Sequence, residues 1–324
     1  MEMKEQMILD LQRAVKEGEW IAIPLPAVLP EGLEAGSHPH DVRKWLLALA
    51  AFPDKWVNRL FSVGGIRLDN GRLLLKAYPH VDLAAHPLLA GAPGSMRAAG
   101  GMDAPSILYE DDHCLVADKP SGMAVHPSRP GHYGTLDEWV LRHALMRGQA
   151  TLLRHIHRLD DDTAGPVLYA KHDLAQWRLD EAMRDKRIDR RYEALVEGPV
   201  KRDTGTVNAP IGKDRHHRSR RRITPEGDHA VTHYEVLHRT PEASLVTLQL
   251  ETGRTHQIRV HMAHLGHPLI GDTLYGARRC SSLTHQALHG KELSFPHPWL
   301  SHTVTVYSVR PAWWTAAAQE LGLL

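Results

Sequence analysis

The sequence predicts an α+β protein built from a small N-terminal region, a linker and a larger domain. Short β-rich runs alternate with amphipathic helical patterns after residue 105, which is typical of α+β domains. Residues 84–105 are rich in Ala, Gly and Pro, the composition of a flexible linker. The sequence therefore divides into residues 1–83, the linker 84–105 and a domain of residues 106–324.

The N-terminal region is predicted to contain two helices followed by a hairpin. Asp41 to Leu49 is typical of a short helix with an acidic cap, and Trp56 to Phe61 of a second helix. Apolar residues then alternate from Ile66 to Leu75 around Asn70-Gly71, the strongest short signal for a β-hairpin.

The larger domain is predicted to contain strands at Cys114–Ala117, Tyr192–Val196, His233–Leu237 and Ser244–Leu250. One helix is expected to begin with Asp173 as its cap and to run to the basic residue Arg187. A second is expected to be capped by Thr255 and to run to Leu265, with Gly266 in the left-handed conformation that follows many helices.

The amino-acid composition limits the classes of protein to which this chain can belong. The 324 residues carry a net charge of +1 and are 42% hydrophobic, which is ordinary for a globular protein with a real core. No run is apolar for long enough to span a membrane, and the first residues lack the pattern of a signal peptide, so we expect a cytoplasmic protein. Cys114 and Cys280 fit buried apolar positions better than a disulfide framework or a zinc site.

One segment is strongly basic although the whole chain is nearly neutral. Residues 213–222 contain six Lys or Arg residues and one acid. Such a segment attracts a phosphate backbone, and the alternative is an ordinary solvated run of charge. The candidate RNA contacts here are Lys213, Arg215, Arg218 and Arg220.

Two separate segments suggest a catalytic carboxylate and a cationic partner. Residues 157–165 read His-Arg-Leu-Asp-Asp-Asp-Thr-Ala-Gly, and residues 251–261 read Glu-Thr-Gly-Arg-Thr-His-Gln-Ile-Arg-Val-His. An arginine bonded to an aspartate keeps the acid ionised and directs it, as a nucleophile requires. Taken alone, the three acids Asp160, Asp161 and Asp162 also fit a metal-binding loop or a helix-capping turn.

These segments resemble the RluA-like family of RNA pseudouridine synthases, whose central motif reads His-Arg-Leu-Asp, two variable positions, Thr-Ser-Gly. Residues 157–171 follow that motif, with Ala164 where the family usually has Ser or Thr. The resemblance covers roughly residues 106–310. Further matches occur in the family's order, at residues 109–112, 119–122, 126–127, 191–192, 194–198, 271–272, 275–276, 288–289, 295 and 297–298.

The resemblance implies a pseudouridine synthase fold, a mixed and largely antiparallel sheet flanked by helices. It also implies an enzyme that isomerises uridine to pseudouridine within ribosomal or transfer RNA, without a cofactor or metal. Nothing in the sequence demands more than a monomer, so we expect a monomer without an obligate protein partner. The two helices and hairpin of the N-terminal region resemble the small S4-type RNA-binding module.

The resemblance assigns roles residue by residue. Asp160 is the candidate nucleophile, Arg259 its ion-pair partner and Tyr192 the aromatic residue that packs on the target base. Arg158 matches the family arginine that occupies the space left by the flipped base. His157 and Arg254 are further candidate RNA contacts.

Two other functions fit parts of the sequence. The 24 histidines permit a metallohydrolase, with candidate ligands at His155, His157, His261, His264 and His267. A non-catalytic RNA-binding or ribosome-assembly factor on the same scaffold is the second alternative. The presence of Asp160, Arg158, Tyr192 and Arg259 together favours the enzyme.

Overall fold

The computed structural model describes residues 9–78, 80, 82, 86–89, 104–149, 151, 153–278 and 283–324. Most of the predicted linker and Cys280 lie outside these ranges. No helix in the described part of the chain has the length and apolar character needed to cross a lipid bilayer.

The N-terminal region forms a four-stranded antiparallel sheet with two helices. The elements are β1 (Val15–Glu17), β2 (Trp20–Pro24), α1 (Pro39–Leu49), α2 (Asp54–Ser62), β3 (Ile66–Asp69) and β4 (Arg72–Leu75). The strand order in the sheet is β1-β2-β4-β3.

The two predicted helices and the hairpin are confirmed. The β3–β4 turn places Asn70 and Gly71 at φ values of 46° and 75°, the left-handed region that an Asn-Gly hairpin turn requires. The predicted acidic cap of α1 is wrong: the cap is His38, whose ring nitrogen accepts a hydrogen bond from the His40 N–H. Asp41 lies within the first turn instead, where its charge still favours the helix N-terminus.

The larger domain contains two main antiparallel sheets. The strands of the first sheet are β5 (Ser106–Glu110), β6 (Cys114–Lys119), β7 (Arg154–His155) and β8 (Gly165–Ala170), in the order β5-β6-β8-β7. The strands of the second are β9 (Asp189–Glu197), β10 (Thr204–Asn208), β13 (Val231–Arg239), β14 (Ala243–Leu250), β15 (Leu288–Pro296) and β16 (Thr303–Tyr307), in the order β10-β13-β14-β9-β15-β16. A separate hairpin is formed by β11 (Ile211–Lys213) and β12 (Arg221–Ile223).

The two sheets meet where β8 begins. Ala164 and His289 form a parallel bridge there, and all strand pairs within the described sheets are antiparallel. The predicted mixed and largely antiparallel arrangement is therefore confirmed. The four strand segments predicted in this domain fall within β6, β9, β13 and β14.

Helices flank these sheets and complete the α+β architecture. They are α3 (Leu136–Met146), α4 (Asp173–Arg184), α5 (Gln257–His264) and α6 (Ala312–Glu320). The largest apolar cluster of the domain contains Leu115, Val140, Tyr192, Val246 and Ile258, so it joins residues of both sheets to α3 and α5. The residues of the candidate site stand at one edge of this core.

Both predicted caps in this domain are wrong, although both helices exist. His172 caps α4 by accepting a hydrogen bond from the Ala175 N–H, while Asp173 forms ion pairs with Arg59 and Arg154. The helix ends at Arg184 rather than Arg187.

The residue before α5 is His256, not Thr255, and its φ of 58° places it in the left-handed region. Thr255 instead accepts a hydrogen bond from Arg158. Gly266, at φ 86°, follows the helix in the left-handed conformation as predicted. Long-range partners for both predicted capping side chains explain why local sequence misassigned them.

Candidate active site

The two signature segments meet in space although about a hundred residues separate them. Arg259 Nη1 donates a hydrogen bond to Asp160 Oδ2 over 3.3 Å. Asp160 is partly exposed, with 23% of its side chain accessible, whereas the side chain of Arg259 is 9% accessible. The carboxylate is therefore open on one side and held by a buried cation on the other.

Arg259 makes its strongest contacts with a second carboxylate, Asp272. Arg259 Nε and Nη2 donate to the two Asp272 oxygens over 2.7 and 2.9 Å, the bidentate geometry of a strong ion pair. Asp272 is only 2% exposed. Burial opposes the charge of Arg259, but the bonds from Asp272 outweigh it and raise the arginine pKa overall. Asp272 therefore orients the guanidinium so that its remaining nitrogen reaches Asp160.

Lys119 holds the loop that carries Asp160. Its Nζ donates to the backbone carbonyls of Pro120, Met123 and Asp161 over 2.7 to 2.9 Å. Burial lowers the pKa of Lys119 to about 7. Ser121 adds a bond from its hydroxyl to the Asp162 carbonyl. Asp161 and Asp162 are thus held through their backbones, while Asp160 presents its carboxylate to the site.

The end of the first signature segment, residues 157–165, is fixed by a close approach between the backbones of Gly165 and Gly290. Gly165 has a φ of 137°, and a Cβ at this position would lie 2.7 Å from the backbone of Gly290. The Gly290 N–H also donates to the Ala164 carbonyl over 2.8 Å. Glycine is required here because an L side chain would clash with the second sheet.

A cleft of about 550 Å³ opens beside Asp160 and Arg259. Tyr192, Ile258 and Leu288 contribute apolar walls. Tyr192 lies on β9 and is 6% exposed, and burial raises its hydroxyl pKa. A flat aromatic wall next to a carboxylate suits a planar ring that must be held while a bond to it is broken.

His256 and Tyr275 complete the surroundings of the ion pair. His256 Nε2 lies 3.9 Å from Asp160 Oδ2, and its Nδ1 shares a 2.8 Å hydrogen bond with the Tyr275 hydroxyl. The Tyr275 ring also packs under the Arg259 guanidinium, 5.1 Å from its centre. Burial lowers the pKa of His256, and the charge of Arg259 acts in the same direction.

Arg158 and Arg254 stand at the rim of the cleft. Both are exposed, and both line the cleft. Arg158 donates to the Thr255 hydroxyl over 3.2 Å, and Arg254 donates to the His229 carbonyl over 3.1 Å. Arg158 also borders a second cavity, of about 390 Å³, on the other side of Asp160.

His157 is placed differently from the other candidate RNA contacts. Its Nε2 accepts a hydrogen bond from the Leu168 N–H, and its Nδ1 is buried without a partner among the described residues. Burial lowers the pKa of His157 to about 3, so the ring is neutral near pH 7. It lines the cleft without offering a positive charge.

The basic segment forms the β11–β12 hairpin and its exposed tip. Lys213, Arg215 and Arg218 are exposed and form no ion pair within the described part of the chain. Arg220 is exposed too, but it is bonded to Asp214 over 2.6 Å. The hairpin adjoins the site because the Arg221 N–H donates to the Tyr275 hydroxyl.

The histidines considered for a metallohydrolase do not converge. His261 shares hydrogen bonds with Thr232 and with the Ala209 carbonyl, and His155 with Asp137. Across the described ranges, Asp111, Cys114 and His297 are the one trio spaced for a metal, and they lie outside the cleft.

Sequence reasoning missed the roles of Lys119, Asp272 and Tyr275. All three fall within segments that match the family motifs, so the signal was present. Their functions depend on contacts with Asp161, Arg259 and His256, which lie far from them in the chain or on another element.

The comparisons with known proteins agree with this geometry. Residues 113–264 match the family model described as RNA pseudouridylate synthase. An uncharacterised RNA pseudouridine synthase of Bacillus subtilis, YhcT, is 46% identical over 208 residues, which are 64% of this chain and 68% of that protein.

A ribosomal large subunit pseudouridine synthase D of Nitrosomonas europaea is 42% identical over 200 residues, 59% of this chain and 58% of the relative. The solved structure of human RNA pseudouridylate synthase domain containing 1 aligns with a TM-score of 0.54 and 26% identity, covering 66% of this chain and 86% of that one. The paired Asp160 and Arg259, the fold and these relatives together show that the chain belongs to the RluA-like family of RNA pseudouridine synthases, enzymes that isomerise uridine in RNA.

Proposed function

We propose that this enzyme converts uridines of ribosomal RNA to pseudouridine with Asp160 as the catalytic nucleophile. The observation that carries the proposal is the partly exposed Asp160 carboxylate, bonded to the buried Arg259 at the edge of an apolar cleft. Support for ribosomal RNA comes from the relative in Nitrosomonas europaea, which is named for the large ribosomal subunit.

The reaction moves the ribose from one ring atom of uracil to another. The N1–C1′ bond breaks, the uracil turns within the cleft, and a C5–C1′ bond forms while C5 loses its proton and N1 gains one. Attack by the carboxylate on the ribose, attack on the uracil ring, and removal of a ribose proton each need an ionised, directed carboxylate. No electrons are gained or lost, so the reaction needs no redox cofactor.

Arg259 supplies both the charge and the direction that such a carboxylate needs. Its two bonds to Asp272 fix the guanidinium plane, and its third nitrogen then faces Asp160. A charge held in place before the reaction stabilises the ionised acid without a cost of reorganisation. We therefore assign Arg259 as the ion-pair partner and Asp272 as the residue that positions it.

Tyr192 is the proposed stacking partner of the target base. Its ring lines the cleft on the strand beside the ion pair, and stacking of a base on an aromatic ring contributes about 1–3 kcal/mol. Arg158 is proposed to occupy the space that the flipped base leaves, because it is exposed between the cleft and the second cavity and its planar guanidinium stacks well.

The remaining contacts are proposed to bind the RNA backbone. Arg254 at the rim and Lys213, Arg215, Arg218 and Arg220 on the hairpin present exposed positive charge near the cleft. Such contacts give affinity without sequence preference. His157 is proposed to contact the RNA through the shape of its ring and not through charge, since the ring is neutral and half-buried.

The N-terminal region is proposed to act as an S4-like RNA-binding module ahead of the catalytic domain 106–324. Two helices beside a hairpin support this assignment. We further propose that the enzyme acts as a monomer in the cytoplasm; in support of the monomer, one chain supplies Asp160, Arg259 and the walls of the cleft.

Pseudouridine mapping of total cellular RNA tests the proposal. Cells lacking the gene should lose one or more discrete sites in ribosomal RNA. The wild-type gene should restore them, and the Asp160→Ala form should not. Asp161→Ala is the matched control and should restore the sites, because Asp161 is held through its backbone carbonyl.

The position of a lost site also identifies the substrate, since a site in transfer RNA would exclude the ribosomal assignment. Rescue by the Asp160→Ala form would remove the catalytic role of Asp160 and leave a non-catalytic RNA-binding function as the better explanation.

A further inference from the structure

Arg190 is a buried arginine whose charge has no partner among the described residues. It is 8% exposed, and its Nε is buried without a hydrogen-bond partner. Its guanidinium forms no ion pair with any described residue. Buried charges in folded proteins are normally paired, because removing a charge from water costs several kcal/mol. With no acid beside it, the guanidinium is available to an anion that enters the cleft.

The position of Arg190 relates it to the reaction. Arg190 and Tyr192 both line the cleft from β9, with the exposed Arg191 between them on the opposite face. Two residues along a strand correspond to about 7 Å. Arg190 therefore lies about the length of one nucleotide from the Tyr192 ring, which is proposed to stack on the uracil.

The second signature segment leaves room for this guanidinium. A Cβ on Gly253 would lie 2.7 Å from Arg190 Nη1. A side chain at this position would require the Arg190 guanidinium to shift from where it now lies. The glycine at position 253 is therefore explained by the space that the Arg190 guanidinium occupies, and not by the backbone conformation.

The carboxylates that line the cleft are already engaged. Six Lys or Arg side chains line it, but only two acids, Asp160 and Glu251. Asp160 bonds with Arg259, and Glu251 bonds with Lys186 over 2.6 Å and with His233 over 2.7 Å. No acid among the described cleft residues remains for Arg190, and the surplus charge favours an anionic group of the substrate.

We propose that Arg190 binds a backbone phosphate adjoining the target uridine once that nucleotide has entered the cleft. The proposal rests on the proposed function, because it takes the nucleotide stacked on Tyr192 as its reference. A guanidinium can donate two parallel hydrogen bonds to one phosphate, and the contact is stronger in a cleft that excludes water. Arg190 is then a substrate-positioning residue that fixes the ribose relative to Asp160.

Binding and stability measurements on Arg190→Gln test this role without depending on turnover. Both proteins carry Asp160→Asn, and the probe is single-stranded oligouridylate. Binding to the variant should weaken by about 10- to 100-fold, as expected for a charged hydrogen bond. The slope of log Kd against log salt should become shallower by about 0.7, the value for one lost phosphate contact on a single strand.

The melting temperature without RNA separates this role from a structural one. Arg190→Gln should melt no lower than its parent, because the substitution removes an unpaired buried charge. A structural arginine would give a lower melting temperature. Arg191→Gln is the matched control: the neighbouring arginine is exposed and paired with Asp189, so binding should stay within about twofold.

Replacing single phosphates of the RNA by neutral methylphosphonate linkages then locates the phosphate that Arg190 is proposed to bind. In the RNA that mapping identifies, single methylphosphonates are placed on either side of the target uridine. One position should slow wild-type turnover about 10- to 100-fold and leave the Arg190→Gln enzyme almost unaffected. Unchanged affinity and salt slope in Arg190→Gln would overturn the inference. If deletion of the gene removes no mapped site while Arg190→Gln still weakens oligouridylate binding, the proposed function alone is contradicted.

Discussion

At the scale of single residues, the site depends on how one arginine divides its hydrogen bonds between two acids. Arg259 makes two short bonds to the buried Asp272 and one longer bond to Asp160. The buried pair orients the guanidinium, and the longer bond leaves Asp160 free to reach a substrate. Asp272, which does not line the cleft, therefore sets the direction of the carboxylate that we propose as the nucleophile.

Asp272→Asn is predicted to weaken both stability and turnover. The change preserves shape but removes the charge that compensates Arg259, and breaking a buried ion pair costs about 3–5 kcal/mol. Urea unfolding should show a loss of this order, and turnover should fall because Arg259 no longer faces Asp160. Asp228→Asn, at an exposed position, should change the free energy of unfolding by less than about 0.5 kcal/mol. A wild-type unfolding curve for Asp272→Asn would refute the positioning role.

At the scale of elements, the site is assembled where the two sheets of the larger domain touch. Lys119 at the end of β6 bonds the loop that carries Asp160, and Gly165 at the start of β8 lies against Gly290 on β15. These contacts bring the carboxylate of one sheet to the cleft wall of the other.

Gly165→Ala is predicted to separate the sheets at this point. The new methyl group would meet the Gly290 backbone at 2.7 Å, at a φ of 137°. We expect a loss of about 2 kcal/mol or more in the free energy of unfolding, together with reduced turnover. Gly131→Ala is the control, since Gly131 has a φ of 77° but open space around it. It should lose only about 1 kcal/mol. Equal losses in the two variants would show that close approach is not the reason for Gly165.

At the scale of the whole molecule, the N-terminal region and the larger domain share one apolar cluster. Leu174 and Trp299 of the larger domain pack among Trp45, Trp56 and other residues of the N-terminal region. Trp299 Nε1 donates to the Leu11 carbonyl, and its ring stacks on His113. The two parts are therefore expected to unfold together.

The boundary between the two parts is predicted to be sensitive to acid. Burial alone would raise the pKa of Asp111, but hydrogen bonds from His297, from the Cys114 and His113 N–H groups and from Tyr109 lower it well below 3.8. Below pH 4 the unfolded chain then binds more protons than the folded protein, so the free energy of unfolding decreases as pH falls. Above pH 4 this contribution is fully present.

Urea unfolding at a series of pH values from 6 to 2.5 measures this effect. The wild-type free energy should decline below pH 4, and Asp111→Asn should be less stable at pH 6 but decline less steeply. Asp112→Asn removes the exposed neighbouring carboxylate and should keep the wild-type slope. An unchanged acid slope in Asp111→Asn would show that other carboxylates are responsible.

Several elements were predictable because their signals are local. The Asn70-Gly71 turn, the apolar period of α1 and α2 and the alternation within β9 and β14 each follow from neighbouring residues. The predicted caps at Asp41, Asp173 and Thr255 were wrong. Asp173 and Thr255 contact residues distant in the chain, and a single sequence does not show such competition. The S4-like assignment of the N-terminal region remains a prediction.

The sequence by itself determined the α+β class, the family and the candidate pair Asp160 and Arg259, because motif order and residue type carry that information. Only the tertiary structure decided that Asp272 orients Arg259, that Lys119 holds the Asp160 loop and that Arg190 is buried with no acidic partner in the part of the chain that the structure describes. The physical reason is that the energy of a buried charge depends on which groups surround it. Those groups are brought together by packing between segments far apart in the chain.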